Sequence, residues 1–308
     1  MTDRSGKGTL LALLAVVSFS FSFPGTAWAL DGFGPWTSTG LRGALAGMLA
    51  AVSLAAVRAP LPRRADWPGL CVVVLGCVLG FPLLTSLALN TSSTSHSAVV
   101  IGVLPLATAV FSRSRTGRSQ PRAFWLASLA GAVLIIGFAL SQNHGLPTTG
   151  DLFLVAAVLV CGAGYAEGGR LSAHMPGWRV IGWALVASLP CMLLVSVFAL
   201  AREPSQPSAK AVAGLAYITL ISQFGGFVLW YRGMALAGVA RASQLQLAQP
   251  LMTLLWSAAL LGERVAPVAP VVATLVLACI AVTQRVGRRS AGASAARGRT
   301  MPLENVRG

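Results

Sequence analysis

Apolar residues run along this chain in blocks of about 20, the length that crosses a bilayer, separated by short polar or basic stretches. The runs between breakers predict helices near 8–30, 37–57, 67–89, 96–112 and 123–141, then 151–170, 178–201, 211–232, 240–261 and 266–284. The pattern predicts an all-α integral membrane protein of ten transmembrane helices. Residues 1–7 form a short polar N-terminus. The stretch 285–308 is basic and rich in small residues, and is expected to be disordered.

Composition supports the bilayer. Charged residues make up 10% of the chain and mean hydropathy is +0.74, whereas about a quarter of a soluble domain is charged. A net charge of +15 would suggest nucleic acid in a soluble chain. The basic residues do not line one amphipathic face, however; they fall in alternate loops, as positive-inside sorting produces. With the N-terminus inside, 19 of the 23 Lys and Arg lie on the inner side. The opposite loops hold Arg202, Lys210 and Arg264, and Arg42 lies within the second span. Ten spans with both termini cytoplasmic, in a bacterial-type inner (plasma) membrane, satisfy this bias. A competing reading takes Arg4, Lys7 and Ala27-Trp28-Ala29 as a cleaved signal peptide. The apolar stretch is longer than a usual signal core, and removing it would leave nine spans.

The two halves of the chain resemble each other. LALNTSSTSHSAVVIGVLPL, ending at Leu106, parallels MALAGVARASQLQLAQPL, ending at Leu251, so that Pro105 and Pro250 correspond. A glycine follows each proline by twelve residues, Gly117 and Gly262. Five spans is an odd number, so two homologous five-helix units, 8–145 and 146–284, insert in opposite orientations. That inverted repeat places a solute site near the midplane between the halves.

FPGTAWALDGFGPWTSTGLRGALAG in helices one and two, and LAQPLMTLLWSAALLGERVAP at helix nine and its loop, resemble the EamA family of the drug/metabolite transporter superfamily. The resemblance covers about residues 8–284 and implies a ten-helix, two-repeat secondary carrier that exports amino acids, other metabolites or xenobiotics. Many relatives place a lysine late in helix one, where this chain has Trp28. The first repeat reads FSRSRTGRS where the second reads WSAALLGER, setting Arg118 opposite Glu263.

Charged groups in hydrocarbon are costly and mark functional candidates. Glu167, amid Gly162, Gly164, Gly168 and Gly169, reads either as a proton or cation site or as an interfacial carboxylate paired with Arg170 and exposed to cytoplasmic water. Arg42 either snorkels outward, faces the cavity to meet a carboxylate solute, or ties its helix to a neighbour. Ser243, Gln246 and Gln249 recur at a spacing of three beside Pro250, and offer either a solute-binding face or interhelical packing bonds. Trp28, Tyr165, Trp230 and Tyr231 could wall a pocket, although the headgroup preference of these rings favours an interfacial belt. His96 and His144 are expected at solvated outer ends. Pro105 and Pro250 are hinge candidates. The five cysteines sit inside apolar blocks at no ligand spacing and read as small buried hydrophobes, so neither a metal nor a cofactor is implied.

H-E-x-x-H, G-x-S-x-G, paired intramembrane carboxylates and a P-loop are all absent from the sequence, so no catalytic residues are assigned. The expected activity is export of a small metabolite, amino acids or related compounds first, by alternating access with possible proton coupling. Lipophilic-cation efflux is the alternative within transport; an intramembrane enzyme or a channel is the alternative outside it. The expected partners are the lipid bilayer, a small solute and protons, with no nucleic acid and no signal for an oligomeric state.

Overall fold

The computed structural model describes residues 2–116, 122–142, 148–237, 245, 248–279 and 282. Seven of its helices are long and apolar enough to cross a membrane: α1 (Gly6–Leu30), α2 (Pro35–Ala56), α3 (Arg64–Leu89), α4 (Thr94–Ser114), α6 (Thr149–Leu171), α7 (Gly177–Leu200) and α8 (Ala209–Gly233). Three more apolar helices are α5 (Arg122–Gln142), α9 (Gln249–Leu261) and α10 (Val268–Cys279). Leu194, Val197 and Phe198 on α7, like Val133 and Ile136 on α5, point outward, while Arg42, Glu167 and Gln223 are buried. An apolar exterior over a polar interior is the arrangement that lipid demands.

α2 packs along α7, α1 along α8, α3 along α6, and α4 against α6 and α9. Gly40, Gly43 and Gly47 line the α2 side of the first pair. A Cβ at Gly40 would meet Ser196 at 2.8 Å, one at Gly43 would meet Met192 at 2.6 Å, and one at Gly47 would meet the Leu185 carbonyl at 3.0 Å. Without side chains there the helices approach to van der Waals contact, which is how membrane helices gain packing energy where lipid removes the hydrophobic drive.

Several spans are interrupted, and prolines explain where. Pro24 lacks the N–H that would bond Ser20, and α1 breaks at Phe21. The Ser20 carbonyl is instead satisfied by Thr253 Oγ1 of α9 at 2.7 Å, and Ser20 Oγ accepts from Trp256 Nε1 at 3.0 Å. Pro105 likewise leaves Ile101 unbonded, and α4 turns at Gly102–Val103. α3 and α8 each contain a π-helical stretch, Val74–Gly80 and Tyr217–Gly226. In a π-turn the Cys77 carbonyl would accept from residue 82, which is a proline, so that oxygen is free for another donor.

Candidate functional site

The two π stretches meet through a side chain. Gln223 is fully buried, and its Nε2 donates to the Cys77 carbonyl at 3.1 Å. Beside it Ser222 Oγ hydrogen-bonds Ser22 Oγ of α1 at 2.6 Å and accepts a long contact from Arg42 Nη2 at 3.4 Å. Tyr165 and Cys161 of α6 lie within electrostatic range of the Arg42 guanidinium. α1, α2, α3, α6 and α8 therefore converge on one polar layer inside the apolar bundle. Within it Arg42 Nε and Gln223 Oε1 are buried with no hydrogen-bond partner among the described residues, as are Ser38 Oγ of α2 and Trp28 Nε1 of α1.

Arg42 is 6% exposed. The outward-snorkelling reading is thereby corrected, because the stem runs into the bundle and the guanidinium stays there. A charge at the centre of a bilayer costs about 2.5–3.5 kcal/mol on insertion scales, so an arginine in this setting is a functional feature by default.

A cleft lies alongside, lined by Phe23, Gly102, Pro105, Gln249, Pro250 and Thr253 among others. Pro105, at the turn of α4, and Pro250, in the first turn of α9, thus line one space, and Gln249 lies on it. Ser243 and Gln246 fall outside the described residues, as do His144, Arg118 and Gly117. An aromatic cluster adjoins Ser22: Phe21 stacks edge-on with Tyr217 at 4.7 Å, Trp28 at 5.4 Å and Trp256 at 6.2 Å.

Glu167 meets the interfacial reading in its pairing but not in its exposure. Its Oε2 accepts from Arg170 Nε at 2.7 Å, as an interfacial pair would, yet the carboxylate is buried and not exposed to water. The pair lies against Gly69 of α3, where an added Cβ would sit 2.8 Å from Arg170 Nη2. Close packing against a side-chain-free backbone covers the carboxylate, while the Arg170 side chain stays half exposed.

The belt reading is corrected for Trp230 and Tyr231, both of which are buried in the bundle. Tyr231 packs against Gly168 and Gly177, which leave room for its ring. Tyr165 packs edge-on against Phe227. His96 is also corrected: it is buried, not solvated, and its Nε2 lies 2.6 Å from Asp151 Oδ1, with the ring stacked on Phe138. Cys77 and Cys161 are buried as expected, but Cys71 and Cys191 face outward, where a bilayer would solvate a thiol as well as a core does.

Acidic groups hold helix ends. Glu203 accepts from the Trp36 and Thr37 amides at the start of α2, and Glu263 accepts from the Thr94 and Ser95 amides at the start of α4. Gly262, in the left-handed conformation at φ 64°, ends α9 and precedes Glu263 in that turn. Asp31 pairs with Lys210 at 2.6 Å, and Asp66 with His174 at 2.9 Å.

Apolar spans that enclose a layer of unpaired polar groups and a proline-lined cleft define an integral membrane protein built to handle a solute. The profile of the EamA-like transporter family matches residues 6–142 and again 148–284, and the chain belongs to that family, part of the drug/metabolite transporter superfamily. It is 42% identical over 286 residues to the uncharacterized transporter YdeK of Bacillus subtilis, covering 93% of this chain and 100% of YdeK. It is 25% identical over 272 residues to the uncharacterized transporter YcbK of the same organism, covering 85% of this chain and 87% of YcbK. A solved crystal structure at 18% identity overlays with a TM-score of 0.64, covering 90% of this chain and 97% of that one, a likeness of fold. The protein is thus a transporter and not an enzyme.

Proposed function

We propose that this transporter is a secondary carrier exporting small metabolites, amino acids or related compounds first, by alternating access. The reading has two five-helix units, 8–145 and 146–284, inserted with opposite topology and rocking about a midplane site. The family profile matching twice, and the π stretches recurring in the third and eighth helices, both support it. The observation that carries it is the polar layer of Arg42, Ser222 and Gln223, which draws groups from both matched segments to one buried place. Pro105 and Pro250, which both line the cleft, are its hinges.

In this reading Arg42, Gln249, Tyr165 and Trp28 contact the solute, and Ser243 and Gln246 extend the same face. Tyr231 supports α6 and α7 from behind. Glu167 carries the coupling proton, exchanging it when Arg170 releases the carboxylate. The bias of arginine toward alternate loops supports both termini lying in the cytoplasm of a bacterial cell. The aromatic cluster around Phe21 favours a second reading, efflux of lipophilic cations, whose charge such rings attract.

The test is efflux from proteoliposomes under an imposed pH gradient, with pooled neutral, aromatic and acidic amino acids and a lipophilic cation as loads, comparing wild type with Glu167→Gln. Gradient-driven amino-acid efflux that Glu167→Gln uncouples is the expected result. Efflux of the cation alone would establish the second reading. Coupled efflux unchanged by the substitution would move the proton to another group.

A further inference from the structure

The chain has eight acidic residues, and six of them have described side chains. Each of those six has a partner. Asp31 pairs with Lys210, Asp66 with His174, Asp151 with His96, Glu167 with Arg170, and Glu203 and Glu263 with the amides that open α2 and α4. The other two, Asp3 and Glu304, belong to the polar segments at either end of the sequence. The guanidinium of Arg42 offers five N–H donors. Its one hydrogen bond among the described residues is the 3.4 Å contact to Ser222, a hydroxyl already engaged with Ser22, and its Nε has none. The groups in electrostatic range, Tyr165 and Cys161, are neutral in their ordinary protonated forms. A buried cation with no counter-charge among the described residues is incomplete without a ligand that brings one.

We infer that the transported solute carries a carboxylate, and that Arg42 is the group that receives it. The inference rests on the carrier reading above and names the chemical class that the site accepts. A planar carboxylate matches the fork of a guanidinium through two parallel N–H···O bonds. One guanidinium cancels one negative charge, so a carboxylate is neutralised in the bundle, whereas a phosphate dianion would leave a charge uncompensated. The same unpaired charge repels a lipophilic cation. Amino acids, hydroxy acids and keto acids all present the required group, and an amide in its place does not.

The experiment measures thermal unfolding of the purified full chain in detergent, alone and with millimolar carboxylates: benzoate, phenylacetate, lactate, pyruvate, N-acetylglycine and leucine. Each is paired with its amide. Wild type, Arg42→Gln and Arg42→Lys are compared. Expected is a rise of several degrees with one or more carboxylates, none with the matching amides, and loss of the rise in Arg42→Gln with part retained in Arg42→Lys. Arg42→Gln without ligand should unfold at a higher temperature than wild type, because an unpaired buried charge has been removed. Lower stability in that variant would leave the wild-type carboxylate-against-amide comparison as the deciding measurement. Equal shifts from acid and amide, shifts retained in a folded Arg42→Gln, or no shift from any carboxylate would overturn the inference. Carboxylate binding without efflux from wild-type proteoliposomes would instead overturn the carrier reading and leave the binding site standing.

Discussion

Gln223 Nε2 donates to the carbonyl of Cys77 at 3.1 Å, joining the π-helical stretch of α8 to that of α3. The acceptor is available because Pro82 cannot supply the bond that a π-turn would use. Replacing Gln223 with Leu removes the donor and leaves that carbonyl buried and unpaired. A loss of about 1–2 kcal/mol in unfolding free energy is expected, read as a lower midpoint in detergent. Gln223→Met, which keeps the length but loses the donor, should fall about as far. A Leu variant as stable as wild type would show that the two stretches are held by packing alone.

Thr253 performs the equivalent service for α1, taking the Ser20 carbonyl that Pro24 leaves free. Thr253→Val should cost about 0.5–1.5 kcal/mol, the range for a hydrogen bond between membrane helices. Pro24→Ala restores an amide that can bond Ser20 within the helix, so Thr253→Val should cost measurably less in that background. A double-mutant cycle by thermal unfolding reads the difference; equal costs in both backgrounds would contradict the assignment.

His96 and Asp151 form a buried pair 2.6 Å apart, and Asp151 Oδ2 also accepts from Thr148 at the start of α6. Removing one partner strands the other, so Asp151→Asn and His96→Ala should each be strongly destabilising, by about 3 kcal/mol. The double variant should be less unstable than the sum of the singles. Additive losses would mean that the two side chains stabilise the protein independently.

Glu203 and Glu263 each satisfy amides at a helix start, in α2 and α4. Substituting either with Ala should cost about 1 kcal/mol, the usual worth of an N-terminal cap. It should also speed modification by a membrane-impermeant thiol reagent of a cysteine placed at Thr37 or Ser95 respectively, in a background lacking the native cysteines. Unchanged labelling would show that these carboxylates do not hold the helix starts closed.

The spans were legible because bilayer thickness imposes about 20 apolar residues on each crossing, a signal that survives without any tertiary knowledge. Pro105 was legible as an irregular point for a local reason, a missing N–H, whereas Pro250 fits the first turn of α9, where no intrahelical N–H is needed. Arg42 stood out because charge inside an apolar run is rare, but its lack of a counter-charge among the described residues became visible only once the six described carboxylates had located partners. Gln223 was missed. It sits in YITLISQFGG as one amide in an apolar run, without the recurrence at a spacing of three that marks Ser243, Gln246 and Gln249. Its partner is a backbone carbonyl 146 residues away in sequence, freed by a π-turn that leaves no mark on apolar periodicity. The pairing of His96 with Asp151, 55 residues apart, is equally without a local signature, because it depends on α4 and α6 lying side by side.

The seam along Gly40, Gly43 and Gly47 has a mechanical consequence. Backbones this close, with Ser196, Met192 and Leu185 set into the gaps, cannot slide past each other without the chains colliding. α2 and α7, one from each matched segment, are therefore keyed against sliding, so that in the carrier reading proposed above the two units can pivot about this seam but not shear along it. Arg42 lies on that seam, between Gly40 and Gly43 in sequence, so in that reading its charge sits at the pivot and not on a moving wall.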